Sequence, residues 1–142
     1  MENKEIARQL KNLTALDMEA AREYSWALEN IKDEGLCEQL CDFKEDHEEH
    51  VQNLSRYIRQ LGEKPPRKNE IGSELKHDGK KGQYQIEDIL RTLMRDEKIV
   101  SDKYEKLLDQ VTIPQIAADL ENDYEDDLLH LQTIRELLSE TY

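Results

Sequence analysis

The sequence predicts an all-α protein, a bundle of four long helices paired as two antiparallel hairpins and joined by a long crossover connection. Three observations predict it. Apolar residues recur at alternating four- and three-residue spacing in four separate stretches, strand signals are few, and most of the three Pro and five Gly gather between residues 62 and 82. Hydrophobic residues make up 37% of the chain and charged residues another 37%. That balance suits helices, because each needs only one apolar stripe toward the core. A length of 142 residues is that of a single domain, 1–142, with room for one sizeable core.

The first stripe runs through Ile6, Leu10, Leu13, Asp17, Ala20, Tyr24, Ala27 and Ile31, and predicts a helix over about 3–32. After a turn at Lys32–Gly35, a second stripe passes through Leu36, Leu40, Phe43, His47, His50, Leu54, Tyr57 and Leu61, for a helix over about 35–61. Residues 62–84 are rich in Pro, Gly and Lys without a sustained apolar period, and are read as the crossover. A third stripe of Ile86, Leu90, Leu93, Glu97, Val100, Tyr104, Leu107 and Val111 predicts a helix over 85–111. The fourth, of Ile116, Leu120, Asp123, Asp127, His130, Ile134 and Leu137, predicts one over 114–140. Helices of some 26 residues are roughly 39 Å long, a span the crossover can retrace.

The polar residues within these stripes repeat. Shifting the second hairpin by 80 positions places Asp17 on Glu97, Tyr24 on Tyr104, His50 on His130, Glu45 and Asp46 on Glu125 and Asp126, and His47 on Asp127. Helix packing alone can make Leu recur, but it gives no reason for acids, tyrosines and histidines to recur at the same offsets. In an antiparallel hairpin the facing positions have a constant sum, which sets Asp17 across from His50 and Glu97 across from His130. His47 and Asp127 lie one turn from those histidines on the same face. Six ionisable groups are thus expected at one level of the core, where each costs several kcal/mol to bury unless paired, protonated or bound to a metal. Three carboxylates with three imidazoles suit iron, manganese or zinc better than calcium or magnesium.

In these motifs the chain resembles the ferritin-like di-iron carboxylate proteins, in particular the rubrerythrin-type four-helix bundles, over nearly its whole length. The family takes a Glu from each of two helices and an ExxH motif from each of the other two. Here LDMEAAREY and RDEKIVSDKY carry Asp17 with Tyr24 and Glu97 with Tyr104, while HEEH and DLLH end in His50 and His130. Asp17, His47 and Asp127 stand where the family has Glu. Asp is one methylene shorter, and neutral His47 contributes one nitrogen and no charge, so the departures point to weaker binding of a second ion or to a single-ion site. The resemblance implies metal ligation by Asp17, His47, His50, Glu97, Asp127 and His130. It also implies that Tyr24 and Tyr104 hydrogen-bond to ligand carboxylates; their alternative is aromatic core filler. Asp123 is an inward carboxylate opposite Tyr104, either satisfied by that hydroxyl or lining a cation route.

The resemblance implies one or two iron ions, with manganese or zinc as alternatives. It further implies redox chemistry toward dioxygen or peroxide, an external electron donor in the absence of a rubredoxin-like CxxC domain, and a homo-oligomer, dimer or larger. Its non-enzymatic alternative is a bundle with a structural or vestigial metal site, acting as a stress or assembly protein. A third reading is a metal-free bundle in which the acids pair with the histidines.

Asp46, Glu48 and Glu49 are read as the solvated side of the second helix, Glu19 and Glu23 as surface, and His77 as exposed. Cys37 and Cys41, spaced i, i+4, match no CxxC metal or redox pair and are read as small residues at a helix seam. A net charge of −13 argues against nucleic acid. No run of 18 apolar residues suggests a membrane span and the N-terminus lacks a signal-peptide core, so a cytoplasmic location is expected.

Overall fold

The computed structural model describes residues 2–77 and 84–141. Four helices form a bundle: α1 (Asn3–Asn30), α2 (Glu34–Gln60), α3 (Ile86–Leu108) and α4 (Pro114–Thr141). Among the described residues there is no strand and one 3-10 turn, Lys68–Glu70, which lies in the crossover.

Local chemistry sets the helix ends. The Asp33 carboxylate accepts from the Leu36 amide at 2.9 Å and caps α2. The α1–α2 turn is therefore Ile31–Asp33, and Gly35 already belongs to α2 rather than to the turn. Helix α2 ends at Gln60, and just beyond it Gly62, with a φ of 86°, lets the Gly62 and Glu63 amides bond back to Arg59 and Ile58. Pro114 opens α4 where its missing N–H costs nothing. Helix α3 ends at Leu108, three residues short of the expected 111, although Val111 stays buried.

Helix α1 packs on α2 and α3, and α4 packs on α3 and α2. Cross-links of matching register show that α1 runs antiparallel to α3 (Tyr24 to Glu97, Tyr104 to Asp17) and α2 antiparallel to α4 (His50 to Asp126, His130 to Asp46). The crossover therefore returns along the bundle. It lies over α1 and α3: the Leu75 amide donates to Glu19, Arg22 to the Leu75 carbonyl, and Arg95 to the Lys76 carbonyl. Leu75 is fully buried by this packing.

The apolar core falls into two clusters. One holds Ile6, Leu10, Leu13, Leu54, Tyr57, Val100, Tyr104 and Leu120, and the other Tyr24, Ala27, Leu40, Phe43, Leu90, Leu93 and Ile134. Each large apolar side chain contributes about 1.5–3 kcal/mol by burial. Between the two clusters lies a layer of acids and imidazoles, which the apolar ends seal from water.

Candidate metal centre

Every helix contributes to this layer from its inward stripe. Asp17, His47, Asp127 and His130 are 0% exposed, Glu97 1% and His50 2%. All six expected positions meet in one place. His47 is central: its Nδ1 lies 2.7 Å from Asp17 Oδ1 and its Nε2 2.6 Å from Glu97 Oε1. His50 Nδ1 lies 3.4 Å from Asp17 Oδ1, and His130 Nδ1 3.3 Å from Glu97 Oε1.

Asp127 is surrounded differently. Its Oδ1 stands 3.8 Å from His47 Nε2, 3.9 Å from His50 Nδ1 and 3.8 Å from His130 Nδ1, and neither of its oxygens has a hydrogen-bond partner. Glu97 Oε2 and His130 Nδ1 also lack one. Two groups of four donors result, Asp17–His47–His50–Asp127 and His47–Glu97–Asp127–His130, each with its atoms within 4.8 Å of one another and able to hold a metal ion. They share His47 and Asp127.

Tyrosines and further acids fix these side chains. The Tyr24 hydroxyl donates to Glu97 Oε1 at 2.6 Å, and that of Tyr104 to Asp17 Oδ2. Asp123 is thus not the partner of Tyr104; its Oδ1 lies 3.5 Å from His50 Nε2. Two residues outside the expected set complete the layer: Asp126 Oδ2 is 3.0 Å from His50 Nε2, and Asp46 Oδ2 is 2.7 Å from His130 Nε2. Asp46 is half-buried and engaged rather than simply solvated, unlike the neighbouring Glu48 and Glu49, which are exposed. The 80-residue repeat had paired Asp46 with Asp126, and that was the available signal.

A model of the ferritin-like domain family matches residues 4–139. The chain belongs to the ferritin-like family. Among solved structures, a crystal structure of "ferritin like, diiron-carboxylate proteins" from Bacillus anthracis str. Ames superposes with a TM-score of 0.83 at 20% identity, covering 97% of this chain and 99% of that one. At that identity the likeness speaks to the ferritin-like fold. Among curated proteins none matches.

The electrostatics of this ferritin-like layer are those of acids and bases out of water. Burial pushes the Glu97 carboxyl up, but the adjacent His47 and His130 outweigh it and hold the group below the usual carboxylate range. Asp17 is likewise raised by burial and, on balance, lowered by hydrogen bonds from His47 and His50. Asp127 has no such bonds, so burial and then the charges of Glu97 and Asp17 push it well up despite the opposing pull of His47. Burial alone would lower the imidazoles. Contact with Glu97 and Asp17 instead raises His47 well above its ordinary value, and Asp17, Asp127 and Asp123 take His50 to about 10.

Three surface expectations do not hold. Glu19 and Glu23 are 3% and 1% exposed because the crossover covers them, and His77 is half-buried, its Nδ1 2.7 Å from Glu23 and its ring stacked on Trp26 at 4.2 Å. Asp96, 2% exposed, lies on the same seam and is pushed up to about 7 by burial, with the charge of Glu23 adding to it. Cys37 and Cys41 are half-buried free thiols. No helix is long and apolar enough to cross a membrane among the described residues.

Proposed function

We propose that the buried layer binds one or two transition-metal ions, iron first among them, and that the bound metal reacts with dioxygen or peroxide. The observation that carries this reading is Asp127: its unpartnered Oδ1 faces three imidazole nitrogens at 3.8–3.9 Å. That is too far for hydrogen bonds. Two ligands each about 2.1 Å from one ion stand roughly 3–4 Å apart, so the spacing fits donors that share a cation. The mixed oxygen and nitrogen donors fit iron, with manganese or zinc as alternatives, and the ferritin-like neighbour described as a diiron-carboxylate protein supports iron.

Asp17, His50 and Asp127 would hold one ion, and Glu97, His130 and Asp127 the other, with His47 adding a nitrogen to one of them. Iron, when bound, supplies Lewis acidity and an electron to the oxidant. The protein's own part is positional. Tyr24 and Tyr104 orient Glu97 and Asp17, while Asp126 and Asp46 hold His50 and His130 by Nε2, so that each Nδ1 faces the centre. The apolar clusters on either side exclude bulk water. With three carboxylates in place of four, the second ion binds more weakly than the first. A turnover cycle needs an external electron donor.

One observation favours a second, non-enzymatic reading, in which the metal is structural or vestigial. His47 already spans Asp17 and Glu97, and as an imidazolium it donates to both acids and offsets one of their two charges without a metal. Anaerobic ferrous loading followed by air distinguishes the two. The redox reading expects rapid oxidation with consumption of oxygen; slow oxidation at the rate of free iron, or tight stoichiometric zinc, contradicts it.

A further inference from the structure

His50 faces two ways. Its Nδ1 belongs to the buried layer, but its Nε2 looks outward between α2 and α4, 3.0 Å from Asp126 Oδ2 and 3.5 Å from Asp123 Oδ1. His50, Asp123 and Asp126 form a third group of donors within 4.8 Å of one another. Asp123 is 5% exposed and its Oδ2 has no hydrogen-bond partner, whereas the Asp126 side chain is 48% exposed. An unpartnered buried carboxylate oxygen is costly to leave so, and a cation is the partner this acidic setting can supply.

Asp119, Asp123 and Asp126 follow one another along α4 at four- and three-residue spacing, on one helix face. The Asp119 side chain is 37% exposed. The row therefore passes from solvent to a buried carboxylate and back to solvent beside the outward nitrogen of His50.

We infer that Asp123, Asp126 and His50 Nε2 form an outer divalent-cation site, which captures the ion at the surface and passes it across the His50 ring to the buried centre. A neutral imidazole offers one lone pair, so His50 serves the outer ion or the inner ion, not both. The outer site is thus a way station that empties as the inner one fills. Only the transfer step rests on the buried layer being a metal centre; capture does not.

The test uses cobalt(II) as the probe, on the full chain, in two arms. In the first, loading of the buried centre is followed by stopped-flow absorbance in wild type and in Asp123→Asn, which removes the charge of an outer carboxylate beside His50 Nε2 and leaves every inner donor residue in place. The variant should load at least about tenfold more slowly, the scale on which local charge alters cation association, and reach the same final cobalt content. Equal loading rates overturn the transfer step. In the second arm the inner donors are disabled by Glu97→Gln with Asp127→Asn, and binding is measured by equilibrium dialysis with folding checked by circular dichroism. One cobalt per chain, lost when Asp123→Asn is added, supports the outer site; no bound cobalt in the folded double variant overturns it. If instead the double variant binds as much as wild type, the buried metal centre fails while the outer site stands.

Discussion

The imidazole of His47 lies 2.6 Å from the Glu97 carboxylate, fully buried, at the position where the ferritin-like pattern has an acid. With Asp17 on its other nitrogen at 2.7 Å, the ring ties α2 to both α1 and α3. Its replacement tests two effects at once. His47→Glu should tighten binding of a second ion by restoring a fourth carboxylate. The same change should destabilise the metal-free protein by about 3–5 kcal/mol, since removing one partner leaves buried acids uncompensated. Metal titration and urea unfolding in chelator measure both; unchanged metal-free stability would contradict the bridging role of His47.

The metal-free protein should lose stability toward alkaline pH. His50 titrates near 6.5 when unfolded and at about 10 in the folded chain. Between those values the folded state holds a proton that the unfolded state has released. Stability from this group is therefore complete below pH 6.5 and declines as pH rises to 10. Urea midpoints in chelator at pH 6, 8 and 10 should fall in that order, and His50→Gln should flatten the decline. A wild-type midpoint that rises with pH is the opposing result.

Asp96 supplies a second case of the same sign, outside the metal layer. Its carboxyl is raised to about 7, first by burial. An acid raised in this way keeps its proton when folded and loses it earlier when unfolded, so the protein is penalised as pH climbs from about 4 to 7. Asp96→Asn should be more stable than wild type at pH 8, by about 1–3 kcal/mol. The gain should shrink toward pH 5. Equal gains at both pH values would remove the titration of Asp96 as the cause.

Tyr104→Phe deletes the hydroxyl that donates to Asp17 while leaving the ring in the core. The orphaned carboxylate oxygen should cost about 1–3 kcal/mol in the metal-free protein. Metal affinity should fall by roughly 10- to 100-fold through loss of ligand orientation. Chelator-competition titration of both proteins reads the affinity. A variant with wild-type affinity would return Tyr104 to the status of core filler.

Legibility in the sequence followed periodicity. Asp17, His47, His50, Glu97, Asp127 and His130 all interrupt apolar stripes, and a stripe turns inward as a unit, so their burial could be read one residue at a time. Asp46 and Asp126 sit off the stripes and half in solvent, where helical spacing is silent. Glu19 and Glu23 escaped for another reason. They lie beside the stripe of α1, and what buries them is the crossover, through Leu75 and His77. An aperiodic segment carries no local signal of where it will lie.

The most direct measurement is metal content. Purified protein is loaded anaerobically with excess ferrous ion, desalted and assayed for iron per chain, alongside Asp127→Ala with its fold checked by circular dichroism. One or two iron per wild-type chain, with a raised melting temperature, and almost none in the variant is the expected result. A wild type that retains no iron and gains no thermal stability, or a variant that retains as much as wild type, contradicts the metal centre.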